Sequence, residues 1–333
     1  MVSSTLGEAL SASATLGPAG MLSHLVAEGF DRLPLPGSGQ TLARWRTLAA
    51  VGGHDLALAK LFEGHTDAMA ILAELGAPSF PANGIWATWA AEPPEAKVTV
   101  AATAGHLVSL RGTKAWCSGA SVATHAVLTA WDAQGRQQLF AVDLDQQSIT
   151  RHTDAWQAVG MASTNSAYLR FHGTLAHPLG QPGDYVGRPG FWHGGAGVAA
   201  CWLGAAQWLG NYLREHMKKS GGDPHRRAHL GEVYVALEGA AATMRALAAQ
   251  IDANPAHSWR VAVMHARLQV EAACDTVIRH VGRALGATPF CTDRHFARLM
   301  ADLPVFIRQS HAERDLASLG EAVSEEGAPT WVL

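Results

Sequence analysis

The chain has 333 residues, a formal net charge of -3 and 16% charged side chains; that length suits two or three structural units, and that charge offers neither a nucleic-acid footprint nor an acidic tail. Hydrophobic residues make up 48%, yet no apolar run reaches the roughly 18 residues of a spanning helix, and the N-terminus has no signal-peptide pattern, so no membrane partner is expected. The four cysteines, 117, 201, 274 and 291, form no CxxC, which argues against a disulfide framework or a zinc site and makes a reducing cytoplasm the expected location.

Residues 1–78 read as a helical domain. Leu48, Val51, Leu56, Leu58, Leu61, Phe62, Met69, Ile71 and Leu72 recur mostly at helical spacing. Gly52-Gly53 marks a break between two helices, and Asp55 suits the N-cap of the second. The stretch GAPSFPANG, with two prolines and two glycines, leads into a different pattern.

Residues 79–185 read as a β-domain. KVTVAA and HLVSLRG, separated by TAG, predict one hairpin. HAVLTAW and QLFAVDL, separated by DAQGRQ, predict another, and AYLRF closes the series. Between them lies RGTKAWCSG, a Gly-Thr-Lys turn followed by Trp116, Cys117 and Ser118. This stretch suits two readings: a wall and hydrogen-bonding edge for a flat heteroaromatic ligand, or a tryptophan capping a sandwich edge beside a solvated serine.

Residues 186–333 read as a helical bundle. One apolar stripe runs from Leu230 to Ile251, a second from Val261 to Leu285, with Asn254-Pro255 between them. A third helix over about 293–319 contains Pro304, where a kink or restart is expected. Small residues in GGAGVAACWLGAAQWLG predict close helix packing.

The order helix, β, helix and several motifs resemble the acyl-CoA dehydrogenase superfamily of flavoproteins, over about Leu42 to Gly320. That family carries a Trp-Ala-x-x-x-Thr-Glu-Pro loop; this chain has IWATWAAEPPEA with Trp86, Glu92 and Pro93. The family's Gly-x-Lys-x-Trp-Ile-Thr-Asn is matched by Gly112, Lys114, Trp116, Cys117 and Ser118, and VGMASTNSAYLRF and GRPGF follow in family order. The resemblance implies an α+β, acyl-CoA dehydrogenase-like fold and FAD as cofactor, with reduced FMN or FAD as the alternative. It implies that Trp116, with Cys117, packs on the flavin and that Ser118 hydrogen-bonds near flavin N5. The run from Ala87 to Ala91, with Trp89 and Ala91, would supply backbone contacts at the pyrimidine end. Arg226 and Arg227 would contact a flavin pyrophosphate across a subunit interface, or else are two solvated charges at a helix start. A homodimer or homotetramer is expected.

The departures bear on chemistry. The family's glutamate base takes a substrate α-proton while hydride leaves for the flavin. Asp302 stands at the family's aspartate, and counting forward puts Ser310 at the glutamate. The second location used in some branches has no carboxylate, and Ala196 stands near its usual arginine. His311, Glu313, His193 and His65 are candidate substitutes, since imidazole exchanges protons near neutral pH; each histidine equally suits a structural role. The leading expectation is an acyl-CoA dehydrogenase-like flavin oxidoreductase acting on a small molecule such as an acyl thioester. The alternatives are a two-component flavin-dependent monooxygenase fed by a flavin reductase, and a non-catalytic member of the fold. The tryptophans suggest an apolar or aromatic substrate. No GxGxxG follows a strand, and neither GxxxxGK[ST] nor HExxH occurs.

Overall fold

Both expected hairpins form in the computed structural model, which describes residues 5–12, 16–77, 84–154, 156–220, 223–325 and 331. The proline-bearing connection at 78–83 lies outside the described residues. Two units are distinguished: one combines Met1–Leu33 with Ala57–Phe191, the other Pro34–Leu56 with Trp192–Leu333.

The first unit contains helices α1 (Leu6–Ala12) and α2 (Pro18–Ala27) and strands β1 (Trp86–Trp89), β2 (Val98–Ala104), β3 (Leu107–Cys117), β4 (His125–Trp131), β5 (Gln137–Asp143), β6 (Ile149–His152) and β7 (Ala167–Leu179). Helix α3 (Thr41–His54) belongs to the second unit, and α4 (Leu56–Glu74) runs almost wholly in the first. Pairing follows β4-β2-β3-β7-β5, and β5 returns to β4, so the sheet closes on itself; β1 adds parallel to β4, and β6 adds to β7. Closure removes open edges from the central strands. The β2–β3 and β4–β5 pairs are antiparallel, as the alternating stretches predict.

Strand β4 is buried on both faces. Ala126, Leu128 and Ala130 join Val98, Leu110, Phe140, Leu169 and Phe171 in one apolar core. Val127 faces the other way, onto Ala68, Ile71 and Leu72 of α4. A period of 2 in the strand meets a 3, 4 spacing on the helix, which is why this unit has two apolar layers.

The Gly-Thr-Lys segment is not the turn its composition suggests. Gly112, Thr113 and Lys114 lie within β3. Gly112 has φ of 123°, and a Cβ there would overlap the Lys97 carbonyl oxygen, so the glycine serves a close strand crossing.

The second unit is helical: α3, most of α6 (Pro189–Ser220), α7 (Pro224–Ala253), α8 (Arg260–Leu285), α9 (Thr288–Thr292), α10 (Arg294–Phe306) and α11 (Glu313–Ser324). A single turn, α5 (Asp184–Gly187), precedes α6 in the first unit. The two long stripes became α7 and α8, and Pro304 sits one turn before α10 gives way to a 3-10 turn at Ile307–Gln309. Gly52-Gly53 does not break a helix. α3 runs through both glycines, and the chain turns extended at Asp55, directly before α4. A Cβ at Gly52 would overlap the Cys201 carbonyl, and one at Gly204 the Ala49 carbonyl. The glycines let α3 and α6 meet backbone to backbone. Asp252 of α7 then holds the start of α3, accepting from the Thr41 hydroxyl at 2.6 Å and the Thr41 N–H at 3.1 Å. Among the described residues no helix is long and apolar enough to cross a membrane.

Alanine at an open helical position removes backbone freedom from the unfolded chain and stabilises by about 0.5–1 kcal/mol. Gly231→Ala on α7, with nothing near its Cβ, should show that gain. Gly204→Ala should instead lose about 1–3 kcal/mol through overpacking. Urea midpoints of the two variants check this; equal signs would refute the backbone crossing.

Candidate functional site

The end of β3 is where the sheet departs from regularity. Its register against β7 shifts between Lys114 and Cys117, and Trp116 takes a left-handed φ of 54°. Such a conformation costs a bulky L residue on the order of 1–3 kcal/mol. A bulge re-aims a side chain, and here it leaves the Trp116 indole 49% exposed between two buried residues, Ala115 and Cys117. Cys117 points the other way, into the sheet core, where burial pushes its thiol pKa up. Its side chain is therefore not part of the exposed wall.

A buried ion pair fixes this strand end. The Lys114 ammonium, fully buried, donates to Glu92 Oε1 at 3.1 Å, to the Thr129 carbonyl at 2.9 Å and to Thr129 Oγ1 at 2.6 Å. The Thr129 hydroxyl donates to Glu92 Oε1 at 2.6 Å, and Trp131 Nε1 to Glu92 Oε2 at 2.6 Å. All three ammonium hydrogens have acceptors. Burial pushes the Glu92 carboxyl up, but Thr129, the Lys114 charge and Trp131 together hold it below its ordinary value. Burial draws the Lys114 ammonium down, against the pull of Glu92.

Ser118 follows Trp116 in a tight turn. Its N–H donates to the Trp116 carbonyl at 2.9 Å, and its carbonyl accepts from Trp89 Nε1 at 3.0 Å. Trp89 is thus buried as a brace, and Ala91 is half-buried just past the end of β1. The Ser118 hydroxyl lies 2.8 Å from Ser166 Oγ, which lies 2.9 Å from Thr164 Oγ1. Thr164 in turn donates to the Met161 carbonyl at 2.8 Å. Ser118 also lines a small open cleft with Leu22, Lys60, Leu61, Ile85, Ala87 and Thr88.

His65 borders this cleft through its neighbours Gly64 and Trp86, but both ring nitrogens are engaged. Nδ1 accepts from the Trp86 N–H at 3.0 Å, which leaves Nε2–H to donate to Asp31 at 3.2 Å. The ring is buried and ties α4 to β1, an arrangement that suits the structural alternative for this histidine.

The remaining predicted residues lie in the helical unit, each with its own partners. His193 is buried, its Nε2 3.0 Å from the His257 carbonyl. Ser310 is buried, its hydroxyl 3.4 Å from Asp315. His311 is exposed, with its N–H donating to Asp315 at 2.9 Å and Nδ1 3.5 Å from the same carboxylate. Arg226 pairs loosely with Asp223 at 3.5 Å, and Asp223 caps α7 through the N–H groups of His225 and Arg226. Arg227 is exposed on the same turn.

The helix, closed sheet, helix arrangement can be compared with solved structures. Dibenzothiophene monooxygenase TdsC from Paenibacillus sp. A11-2, seen with FMN and indole, is 18% identical with a TM-score of 0.80, over 94% of this chain and 92% of that one. Methanesulfinate monooxygenase MsuC from Pseudomonas fluorescens is 19% identical at 0.79, over 97% and 95%. Butyryl-CoA dehydrogenase from Megasphaera elsdenii is 16% identical at 0.79, over 92% and 90%. The fold is that of the acyl-CoA dehydrogenases. No protein-family model and no curated protein sequence matches the chain.

Within that fold, sequence reasoning singled out Trp116 and Ser118 as candidates but passed over the residues that hold them in place. Ser166 and Thr164 stood in the small polar cluster ASTNS, whose meaning needs β3 beside it. Glu92 and Lys114 were visible as motif residues, while Thr129 and Trp131 lie on β4 and carry no local signal.

Removing one partner of a buried pair strands the other charge, at about 3–5 kcal/mol. Lys114→Met should lose that much in chemical denaturation, and adding Glu92→Gln should recover part of it. The Glu92 contribution is present above the ordinary carboxylate pKa and is lost as pH falls through its lower folded value. The acid limb of stability should therefore be shallower in Glu92→Gln than in the parent.

Proposed function

We propose that the chain is a flavin-dependent oxidoreductase of the two-component monooxygenase kind, acting on an apolar or aromatic small molecule. The observation that carries this reading is the exposed, conformationally strained Trp116 next in sequence but one to Ser118, which lines a cleft of mixed aliphatic and polar character. A strained tryptophan held out from its sheet by a satisfied buried ion pair suits a flat ring stacked against it. The residues fit an isoalloxazine: an aromatic wall at Trp116, a hydroxyl edge at Ser118 and aliphatic lining at Leu61, Ile85 and Ala87.

Dehydrogenation is less well supported. Where the resemblance expects a carboxylate, the chain has Ser310, buried against Asp315, and a serine without an activating base does not remove an α-proton. His311 is held to the same carboxylate from outside. Monooxygenation needs no such base. A bound reduced flavin would supply the two electrons that let one atom of O2 enter the substrate and the other leave as water. The work left to this chain is to bind and orient the ring at Trp116 and Ser118 and to keep water from the cleft. TdsC, seen with FMN and indole, makes FMN and an aromatic heterocycle reasonable first probes.

The protein, supplied with FMN, a flavin reductase, NADH and indole under 18O2, should give product carrying one 18O atom. Trp116→Ala should weaken FMN binding about tenfold, a loss of stacking area and of a rigid wall. Protein that purifies with stoichiometric FAD, bleached anaerobically by an acyl thioester, would overturn the monooxygenase reading in favour of a dehydrogenase.

A further inference from the structure

The hydroxyl chain behind Ser118 has a direction. A hydroxyl carries one hydrogen and two lone pairs. The Thr164 hydrogen goes to the Met161 carbonyl at 2.8 Å, since a carbonyl only accepts. Thr164 Oγ1 therefore accepts in its 2.9 Å contact with Ser166, and the Ser166 hydrogen is used there. Ser166 Oγ must in turn accept in its 2.8 Å contact with Ser118. The Ser118 hydrogen is thus committed inward. Its N–H and carbonyl are already taken by Trp116 and Trp89. Toward the cleft Ser118 offers a lone pair and no hydrogen.

The second hydroxyl on the cleft wall is committed in the same way. Thr88 donates to the Gly64 carbonyl at 2.9 Å, so it too faces any ligand as an acceptor. Ser166 and Thr164 are buried; the Met161 carbonyl also accepts from the Thr164 N–H at 3.0 Å, but reversing the chain would set the Thr164 and Met161 oxygens 2.8 Å apart with no hydrogen between them.

We infer that the relay Ser118–Ser166–Thr164 selects the redox state of the flavin, favouring reduced over oxidised. This rests on the flavin reading above, with Ser118 at the N5 edge. N5 of the oxidised ring is a lone-pair acceptor; N5 of the reduced ring carries a hydrogen. An acceptor-only Ser118 bonds the second and opposes the first. Ser166 and Thr164 are positioning residues, acting through Ser118 without touching the ring. A flavin held there would bind more tightly reduced than oxidised.

The experiment measures anaerobic binding of dithionite-reduced FMN and of oxidised FMN to the full chain and to three variants, with circular dichroism confirming the fold. In the parent, reduced FMN should bind more tightly. Ser166→Ala frees the Ser118 hydrogen to turn into the cleft, so the oxidised-to-reduced ratio of dissociation constants should fall about tenfold, the size of one such hydrogen bond, mainly by tighter oxidised binding. Thr164→Val should move the ratio the same way, and Thr164→Ser, which keeps the hydroxyl, should leave it at the parent value. A merely weakened fold lowers both affinities together and leaves the ratio unchanged. If FMN binds but the ratio is the same in the parent, Ser166→Ala and Thr164→Val, or if the parent prefers oxidised FMN, the inference is overturned while the flavin reading stands. Refusal of FMN in both redox states by the folded parent would remove the flavin reading, and the inference with it.

Discussion

The Lys114–Glu92 pair is the constraint on which the candidate site depends. Lys114 sits at full burial in the middle of a β-core, where an ammonium survives only with every hydrogen accepted. Glu92, from the loop after β1, and Thr129, from β4, supply those acceptors. The pair therefore joins three segments far apart in sequence. It leaves β3 no freedom at the point where the register slips, and the next residues, Trp116 to Ser118, inherit that rigidity. The proposed ring-stacking wall at Trp116 needs such rigidity, because a tryptophan free to collapse onto the sheet would bury itself instead.

Small residues play the complementary part. Gly112 admits the crossing of β2 and β3 near Lys97, and Gly204 with Gly52 admits the contact of α3 with α6. In both places the absence of a Cβ brings backbone to backbone. Composition alone reads such glycines as turns or breaks. A glycine's lack of a side chain has the same local signature whether the chain bends there or another segment passes close by.

Several polar groups around the cleft are engaged by the protein itself. His65 uses both nitrogens, Thr88 and Ser118 give their hydrogens inward, and Trp89 braces a carbonyl. At Trp116, Thr88 and Ser118 what remains available is an aromatic face and a few lone pairs. That inventory suits the proposed role of holding a flat ring more than one of transferring protons.

The sequence by itself determined the element order, the two hairpins, the long helical stripes and the motif residues Trp116 and Ser118, because these are recorded in periods of 2 and 3.6 and in local spacing. It also exposed the serine at the position where the resemblance expects a carboxylate. Only the tertiary structure decided which hydroxyls point inward, that His65 ties α4 to β1 and that Cys117 faces the core. It likewise decided that Gly52-Gly53 continues a helix and that Glu92, Thr129 and Trp131 converge on Lys114. Those facts depend on partners 15 to 39 residues away or further. A hydrogen bond's direction is set by what the other end of the chain of donors meets, and no local pattern records it.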